Sequence, residues 1–348
     1  MEYRRLGASG LMVSPICLGT MMFGGRTDEA TSKRIIASAR DAGVNFIDVA
    51  DAYAKGESEK ITGRAIKRHR HDWVLATKVG NPMGTGPNDR GLGAKHIHQG
   101  VDASLKRLGT DFLDIFYFHL DDLDTPMEES IQAMSDVIRQ GKARYWGISN
   151  YTGWRVAALC SLAQAMGGPM PVVAQPYYNA MTRMPEIDLL PACDYFGLGV
   201  VPYSPLARGV LTGKYTPGKD AGVAKGSRAG AGDRRMLETE FRPESIKMAQ
   251  KIKAHAEKRG MTAGQFAFNW VLNNQIITSV LAGPRTMAQW KEYLGALDYE
   301  FTAKDEALVN SMVPSGHPST PGYSDPKYPY QGRQPWVGEG PKPSRFGD

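Results

Sequence analysis

With 348 residues, 42% of them hydrophobic and 22% charged, the chain reads as an ordinary soluble globular protein, long enough for one large domain or two of usual size. Lys and Arg number 42 against 36 Asp and Glu, a formal charge of +6. No basic run interleaved with aromatics forms a nucleic-acid stripe, and an anionic small ligand suits the excess as well. No stretch approaches the ~18 apolar residues of a membrane span, and the opening MEYRRLGASG has no apolar leader core. The separated cysteines Cys17, Cys160 and Cys193 show neither disulfide nor metal spacing, so a cytoplasmic protein with no membrane or nucleic-acid partner is expected.

From residue 16 onward, short apolar runs alternate with helix-like segments. ICLGT, NFIDV, WVLATK, LDIFYFH, ARYWGIS, VVAQP, GLGVVPY and ITSVLAG are strand candidates. They are rich in Val, Ile and Leu without clean alternation, as parallel strands buried on both faces are. DEATSKRIIASARDAG and AKHIHQGVDASLKRLG are amphipathic helices between strands, the first stopped by Gly43. Eight strand–helix steps in one chain predict an α/β fold, a single (β/α)8 barrel spanning residues 1–313. A doubly wound sheet would want a G-x-G-x-x-G turn after a strand, and none is present.

Two segments break the rhythm. Residues 204–241 form a long connection after the seventh barrel strand, rich in glycine and in the cations Arg208, Lys214, Lys219, Lys225, Arg228, Arg234 and Arg235. A connection of that length is usually a functional loop. Residues 314–348, with Tyr323, Tyr328, Tyr330 and Trp336 among prolines, are expected to be an irregular extension packed on the barrel, reaching toward its mouth.

Barrel enzymes keep their chemistry at the C-terminal strand ends. There the sequence places Asp48 and then Tyr53 on the second barrel strand, Lys78 on the third and His119 on the fourth. Ser149 and Asn150 follow on the fifth, Gln175 on the sixth, and Tyr203 and Ser204 on the seventh. A free tyrosine titrates near pH ~10 and is a poor acid at neutral pH. A lysine ammonium beside it favours the phenolate and lowers that pKa, and an aspartate keeps the lysine charged in the interior. A histidine can bond the carbonyl that receives the tyrosine proton. That set suits reduction of C=O to an alcohol, given a hydride source such as a reduced nicotinamide. The HIH at residues 96–98 starts a helix and does not end a strand, so no metal site is expected.

GVNFIDVADAY, LATK and DIFYFHLDD, together with GISNY, QPYYN, YSPLARGVLTGKY and AGPRTMAQWKE, resemble the motifs of the aldo-keto reductases in order and context. The resemblance extends to about residue 312. It implies a barrel with an N-terminal β-hairpin that binds NADPH, with NADH as a weaker alternative, and reduces an aldehyde or ketone with the tetrad Asp48, Tyr53, Lys78 and His119. It further implies cofactor contacts from Thr20, Met21, Arg26, Asp48, Ser149, Asn150, Gln175 and Tyr203. Ser204, Pro205, Leu206, Arg208, Gly209, Lys214 and Arg228 belong to the same expected set, as do Gly283, Arg285, Gln289 and Glu292. Substrate contacts are expected from Met22, Phe23, Tyr53 and His119.

TPMEESIQAMSDVIRQGKARYWGISN looks most like the branch that holds potassium-channel β-subunits and related bacterial reductases. That resemblance raises the alternative of a cofactor-binding regulatory subunit, and allows a homo-oligomer. Those subunits typically carry Asn where this chain has His119, and often have an extension ahead of the barrel, whereas this chain starts at the first hairpin. Both features favour the enzyme. Tyr293 stands after Glu292 where the family often has Asn.

Overall fold

A short hairpin, β1 (Arg4–Arg5) with β2 (Met12–Val13), precedes eight parallel strands in the computed structural model, which describes residues 1–217, 223 and 226–328. The strands are β3 (Ile16–Gly19), β4 (Phe46–Asp48), β5 (Val74–Val79), β6 (Leu113–Phe118), β7 (Ala143–Ser149), β8 (Val173–Gln175), β9 (Gly199–Val200) and β10 (Val280–Ala282). Each lies inside a segment expected to be a strand, except that β5 runs one residue past WVLATK to Val79. The sheet runs from β3 to β9 in chain order, with β10 beside β3. It closes between its edges: Val200 bridges Ile277, and the N–H groups of Thr278 and Leu281 donate to the carbonyls of Val200 and Pro202 at 2.9 and 3.0 Å. The expected (β/α)8 barrel is the fold.

Helices α1 (Glu29–Asp41), α2 (Glu57–Ile66), α3 (Ala94–Leu108), α4 (Met127–Arg139), α5 (Gly153–Ala165) and α6 (Leu189–Tyr195) each join one strand to the next. The connection from β9 to β10 carries α7 (Arg234–Thr239), α8 (Pro243–Lys258) and α9 (Ala263–Leu272); α10 (Met287–Gly295) and α11 (Ala303–Met312) follow β10. The first helix shows how the sequence sets the punctuation. Asp28 caps its start, accepting from the Thr31 N–H at 2.7 Å, and Gly43 at φ 82° supplies the left-handed residue just past its end. Lys219, Lys225, Tyr330 and Trp336 lie outside the described residues.

Strand side chains alternate between two cores, which explains the absence of a polar–apolar rhythm. Ile16, Leu18, Ile47, Leu75, Phe116, Phe118, Trp146 and Ile148 face the helices in the larger cluster. Cys17, Phe46, Val74, Ala76, Ile115, Tyr117, Val173 and Val201 fill the barrel interior, joined by Leu6 and Val13 of the hairpin. Gly147 makes room within it, since a Cβ there would lie 2.6 Å from the Tyr117 ring. Two residues further along the inward face come Asp48 after Phe46, Lys78 after Ala76 and Gln175 after Val173. The alternation itself aims them at the barrel axis.

A second group of charges is buried behind β4 and β5. Glu59 on α2 is fully buried and accepts from Arg107 Nε at 2.5 Å and Thr77 Oγ1 at 2.6 Å. Asp51 beside it accepts from the Ala52 N–H at 2.6 Å through one oxygen, while its other oxygen has no hydrogen-bond partner. Burial, and then the charge of Glu59, push the Asp51 carboxyl up to about 7. Raised above its unfolded value near ~4, this group contributes stability that is full below pH ~4 and is lost as pH climbs through about 7. Asp51→Asn is expected to remove that slope, gaining up to about 4 kcal/mol on the wild type between the two pH limits. Urea unfolding across the pH range measures it, and parallel stability curves for the two proteins would refute the buried titration.

Candidate active site

Lys78 holds the site together. It is fully buried, and its ammonium donates to one oxygen of the equally buried Asp48, to the Val49 carbonyl at 2.8 Å and to the Tyr53 hydroxyl at 3.3 Å. All three of its protons are used. Gln175 Nε2 donates to the other Asp48 oxygen at 2.9 Å. Burial alone would pull the Lys78 ammonium down, but Asp48 and Tyr53 carry it above its ordinary value, so it stays charged.

Tyr53 leaves β4 on a tight turn. Ala54 and Lys55, which follow it, stand at φ 47° and 54°, a left-handed pair costing roughly 1–2 kcal/mol per residue. This turn aims the phenol at Lys78. The lysine charge draws the Tyr53 pKa down as expected from sequence, yet burial outweighs it and the net shift is upward. The hydroxyl therefore holds its proton at neutral pH.

His119 follows β6, its ring centre 5.8 Å from that of Tyr53 and nearly perpendicular to it. Burial, with Lys78 and Lys327 adding to it, pushes its pKa well below the ordinary value, so the ring is neutral. Asn81 Nδ2 stands 2.8 Å from His119 Nδ1. An amide N–H can only donate, which puts the ring proton on Nε2. Asn81 escaped the sequence reading. It lies three residues past Lys78, where the strand-end rule, followed a little further along the loop, would have found it.

Asn150 adopts φ 61° directly after β7, and its amide bridges the His119 carbonyl at 2.8 Å and Ser149 Oγ at 3.1 Å. The Tyr203 hydroxyl donates to its side-chain oxygen at 2.7 Å, and Ser149 donates to the Gln175 carbonyl at 2.8 Å. The four residues form one polar shelf across β7, β8 and the end of β9.

A cavity of about 440 Å³ runs from Tyr53 and His119 past this shelf to α10. Of the expected set, Met21, Met22, Arg26, Ser149, Asn150, Gln175 and Tyr203 line it. So do Ser204, Pro205, Leu206, Arg208, Gly209, Lys214, Arg228, Gly283, Arg285, Gln289 and Glu292. Arg208 is set by the fully buried Glu240, whose oxygen stands 3.1 Å from its Nε and also accepts from the Tyr177 hydroxyl at 2.6 Å. Lys214 is pulled below its ordinary pKa by burial and by Arg228 and Arg285. Arg228 is lowered by burial and then by Arg208. Cations that destabilise one another in a cleft make an anion site.

Three expected contacts are corrected. Phe23 is fully buried in the outer core and does not reach the cavity as a substrate wall. Thr20 is also buried behind the wall, where its hydroxyl donates to the Asp48 carbonyl at 3.0 Å. Asp48 has both oxygens occupied by Lys78 and Gln175 and does not line the cavity, lying beneath it. Lys327 and Tyr328 of the C-terminal extension do line it, as does Gly264 at the start of α9, which the sequence reading had not singled out.

The aldo/keto reductase family profile matches residues 15–313. A probable voltage-gated potassium channel subunit beta of Oryza sativa subsp. japonica is 37% identical, covering 89% of this chain and 97% of its own length. A protein of Arabidopsis thaliana with the same description is 38% identical over 86% of this chain and 92% of its own. The "Uncharacterized oxidoreductase YrpG" of Bacillus subtilis (strain 168) is 36% identical over 92% and 98%. With that match over most of its length and with this barrel, the chain belongs to the aldo/keto reductase family.

Proposed function

We propose that the protein reduces an aldehyde or ketone to the alcohol with NADPH, Tyr53 supplying the proton. The observation that carries this is the single ammonium of Lys78 joining buried Asp48 to a Tyr53 hydroxyl that faces the cavity beside a neutral His119. His119 Nε2–H orients the carbonyl oxygen and polarises it. Tyr53 gives its proton to that oxygen as negative charge develops there, and the phenolate left behind is stabilised by Lys78 until solvent returns the proton. NADPH, when bound, supplies the hydride that adds to the carbonyl carbon.

The residues fit such a cofactor. Arg208, Lys214, Arg228 and Arg285 supply the cations its phosphates need, and Gly209 at φ 100° allows the loop to turn beside Lys214. Ser149, Asn150 and Gln175 offer amide and hydroxyl groups at the height of Tyr53 for a carboxamide, with Tyr203 as the ring that stacks. Three buried free cysteines, and the absence among the described residues of any helix able to cross a membrane, suit a cytoplasmic setting. The channel-subunit descriptions of the plant relatives support a second reading, a regulatory subunit that binds the cofactor without turnover. Oxidation of NADPH against a panel of aldehydes and ketones separates the two.

Tyr53→Phe keeps the ring and deletes the proton, so reduction is expected to fall on the order of 10²-fold or more with NADPH binding intact. Turnover near that of the wild type would remove Tyr53 as the acid. Lys78→Met is expected to be as damaging to the rate and also to cost about 3–5 kcal/mol of stability, because it strands the buried Asp48 charge. The chemical role is therefore best read from Tyr53.

Arg285 and Arg228 at the adenosine end are the groups we assign to a 2′-phosphate. NADPH is expected to bind more tightly than NADH, and Arg285→Ala to shrink the preference about tenfold, the value of a hydrogen bond to a charged group. Fluorescence titration with both cofactors tests this. Equal affinities in the wild type would refute it.

A further inference from the structure

The C-terminal extension carries a cation to the cavity that the reaction does not use. Residues 317–328 run from α11 back across the mouth as a strap with several anchors. The Arg183 N–H donates to the His317 carbonyl at 3.1 Å, the Ser319 N–H to the Met181 carbonyl at 2.9 Å, and Ser319 Oγ meets Ser245 Oγ at 2.8 Å. Arg242 lies 3.8 Å over the Tyr323 ring. Asp325 then takes both arms of Arg235 on α7, at 2.8 and 2.5 Å, and accepts the Lys327 backbone N–H at 2.8 Å. The turn is fixed by the Tyr328 N–H donating to the Asp325 carbonyl at 3.1 Å. A short polar turn pinned by a bidentate ion pair has little freedom, so the side chains of Lys327 and Tyr328 stay at the cavity they line.

The charges around this cavity are unequal. Glu292, at the α10 end, is the one carboxylate among the described residues that lines it. Arg208, Lys214, Arg228 and Arg285 are claimed by the phosphates of the proposed cofactor. Arg235 is spent on Asp325, and Arg26 shares Asp233 with Arg228 at 3.9 and 3.8 Å. Lys327 has no carboxylate partner among the described residues; its ammonium sits 5.3 Å from the centre of the Tyr328 ring. It lines the same cavity as Tyr53 and His119, and its charge adds to the lowering of the His119 pKa. Among the residues that line the cavity with it, Met21, Met22, Ala52 and Tyr328 offer apolar contact.

We propose that the substrate is a carbonyl compound bearing a carboxylate, whose apolar body lies against Met22 and Tyr328 while Lys327 pairs with the carboxylate and the carbonyl meets Tyr53 and His119. This rests on the carbonyl reduction proposed above and names its substrate class. Lys327 is exposed, so the pairing is screened by solvent and its effect is modest, on the order of fivefold in kcat/KM.

The test compares 3- and 4-carboxybenzaldehyde with their methyl esters, which have the same ring and aldehyde without the charge, using the full chain and NADPH at low ionic strength. The wild type is expected to prefer the carboxylates about fivefold in kcat/KM. The preference is expected to vanish in Lys327→Met, to persist in Lys327→Arg and to shrink with added salt. Asp325→Asn distinguishes a placed cation from a general positive field. Losing an anion and freeing Arg235 would raise the preference if only the field mattered, whereas loss of the anchor lowers it. No preference in the wild type, a preference that survives Lys327→Met, or a rise in Asp325→Asn would each overturn the assignment while leaving carbonyl reduction standing. Turnover of none of these aldehydes would sink the reaction and the assignment together.

Discussion

Two opposite charges with no exposed surface, Asp48 and Lys78, set the terms for everything at the mouth of this barrel. Separating either from its partner inside protein costs several kcal/mol, so the pair persists only because every remaining bond is also made. Gln175 takes the second carboxylate oxygen, Val49 takes the second ammonium proton and Tyr53 takes the third. Four segments, β4, β5, β8 and the Tyr53 turn, are thereby fixed to one another by polar bonds whose geometry allows little play. The phenol is placed by the same bonds that satisfy the lysine, so its position needs no further support from the cavity.

The two-faced barrel makes such a pair tolerable. Below it the interior is apolar, with Phe46, Ala76, Ile115 and Tyr117 in place and the hairpin residues Leu6 and Val13 filling the far end. Above it the polar shelf of Ser149, Asn150 and Tyr203 and the cations of the long connection line the cavity. A steep change of polarity therefore falls within one layer of side chains, and the titrating groups lie on that boundary. Tyr53 and His119 are both driven by burial toward their neutral forms, in which each still keeps a proton to donate to a carbonyl oxygen.

Much of this was legible in the sequence, because a parallel barrel converts strand ends into a shared location. Asp48, Lys78, His119, Ser149 and Gln175 are far apart in the chain and needed only the rule of strand ends to be gathered. What the rule could not give was direction. Phe23 and Thr20 occupy the right loop but turn inward to the outer core and to the Asp48 carbonyl, and nothing in their residue types signals it. Asn81 sits three residues past Lys78, beyond the reach of periodicity though within that of the strand-end rule followed further along the loop. The net pKa of Tyr53 was misjudged for a related reason. A neighbouring charge can be read from a motif, but the depth of burial opposing it belongs to the folded whole.

The strap has a consequence for how this protein is divided. The family match ends at residue 313, yet two residues that line the cavity, Lys327 and Tyr328, come after it. The buried Asp48–Lys78–Tyr53 group and this part of the cavity rim are thus encoded in separate stretches of chain, joined through side-chain anchors such as Arg235 with Asp325. Change in the later stretch can retune what enters without disturbing Asp48, Lys78 or Tyr53. The rim of such a barrel can therefore vary with a short terminal segment while the buried pair beneath it keeps its bonds.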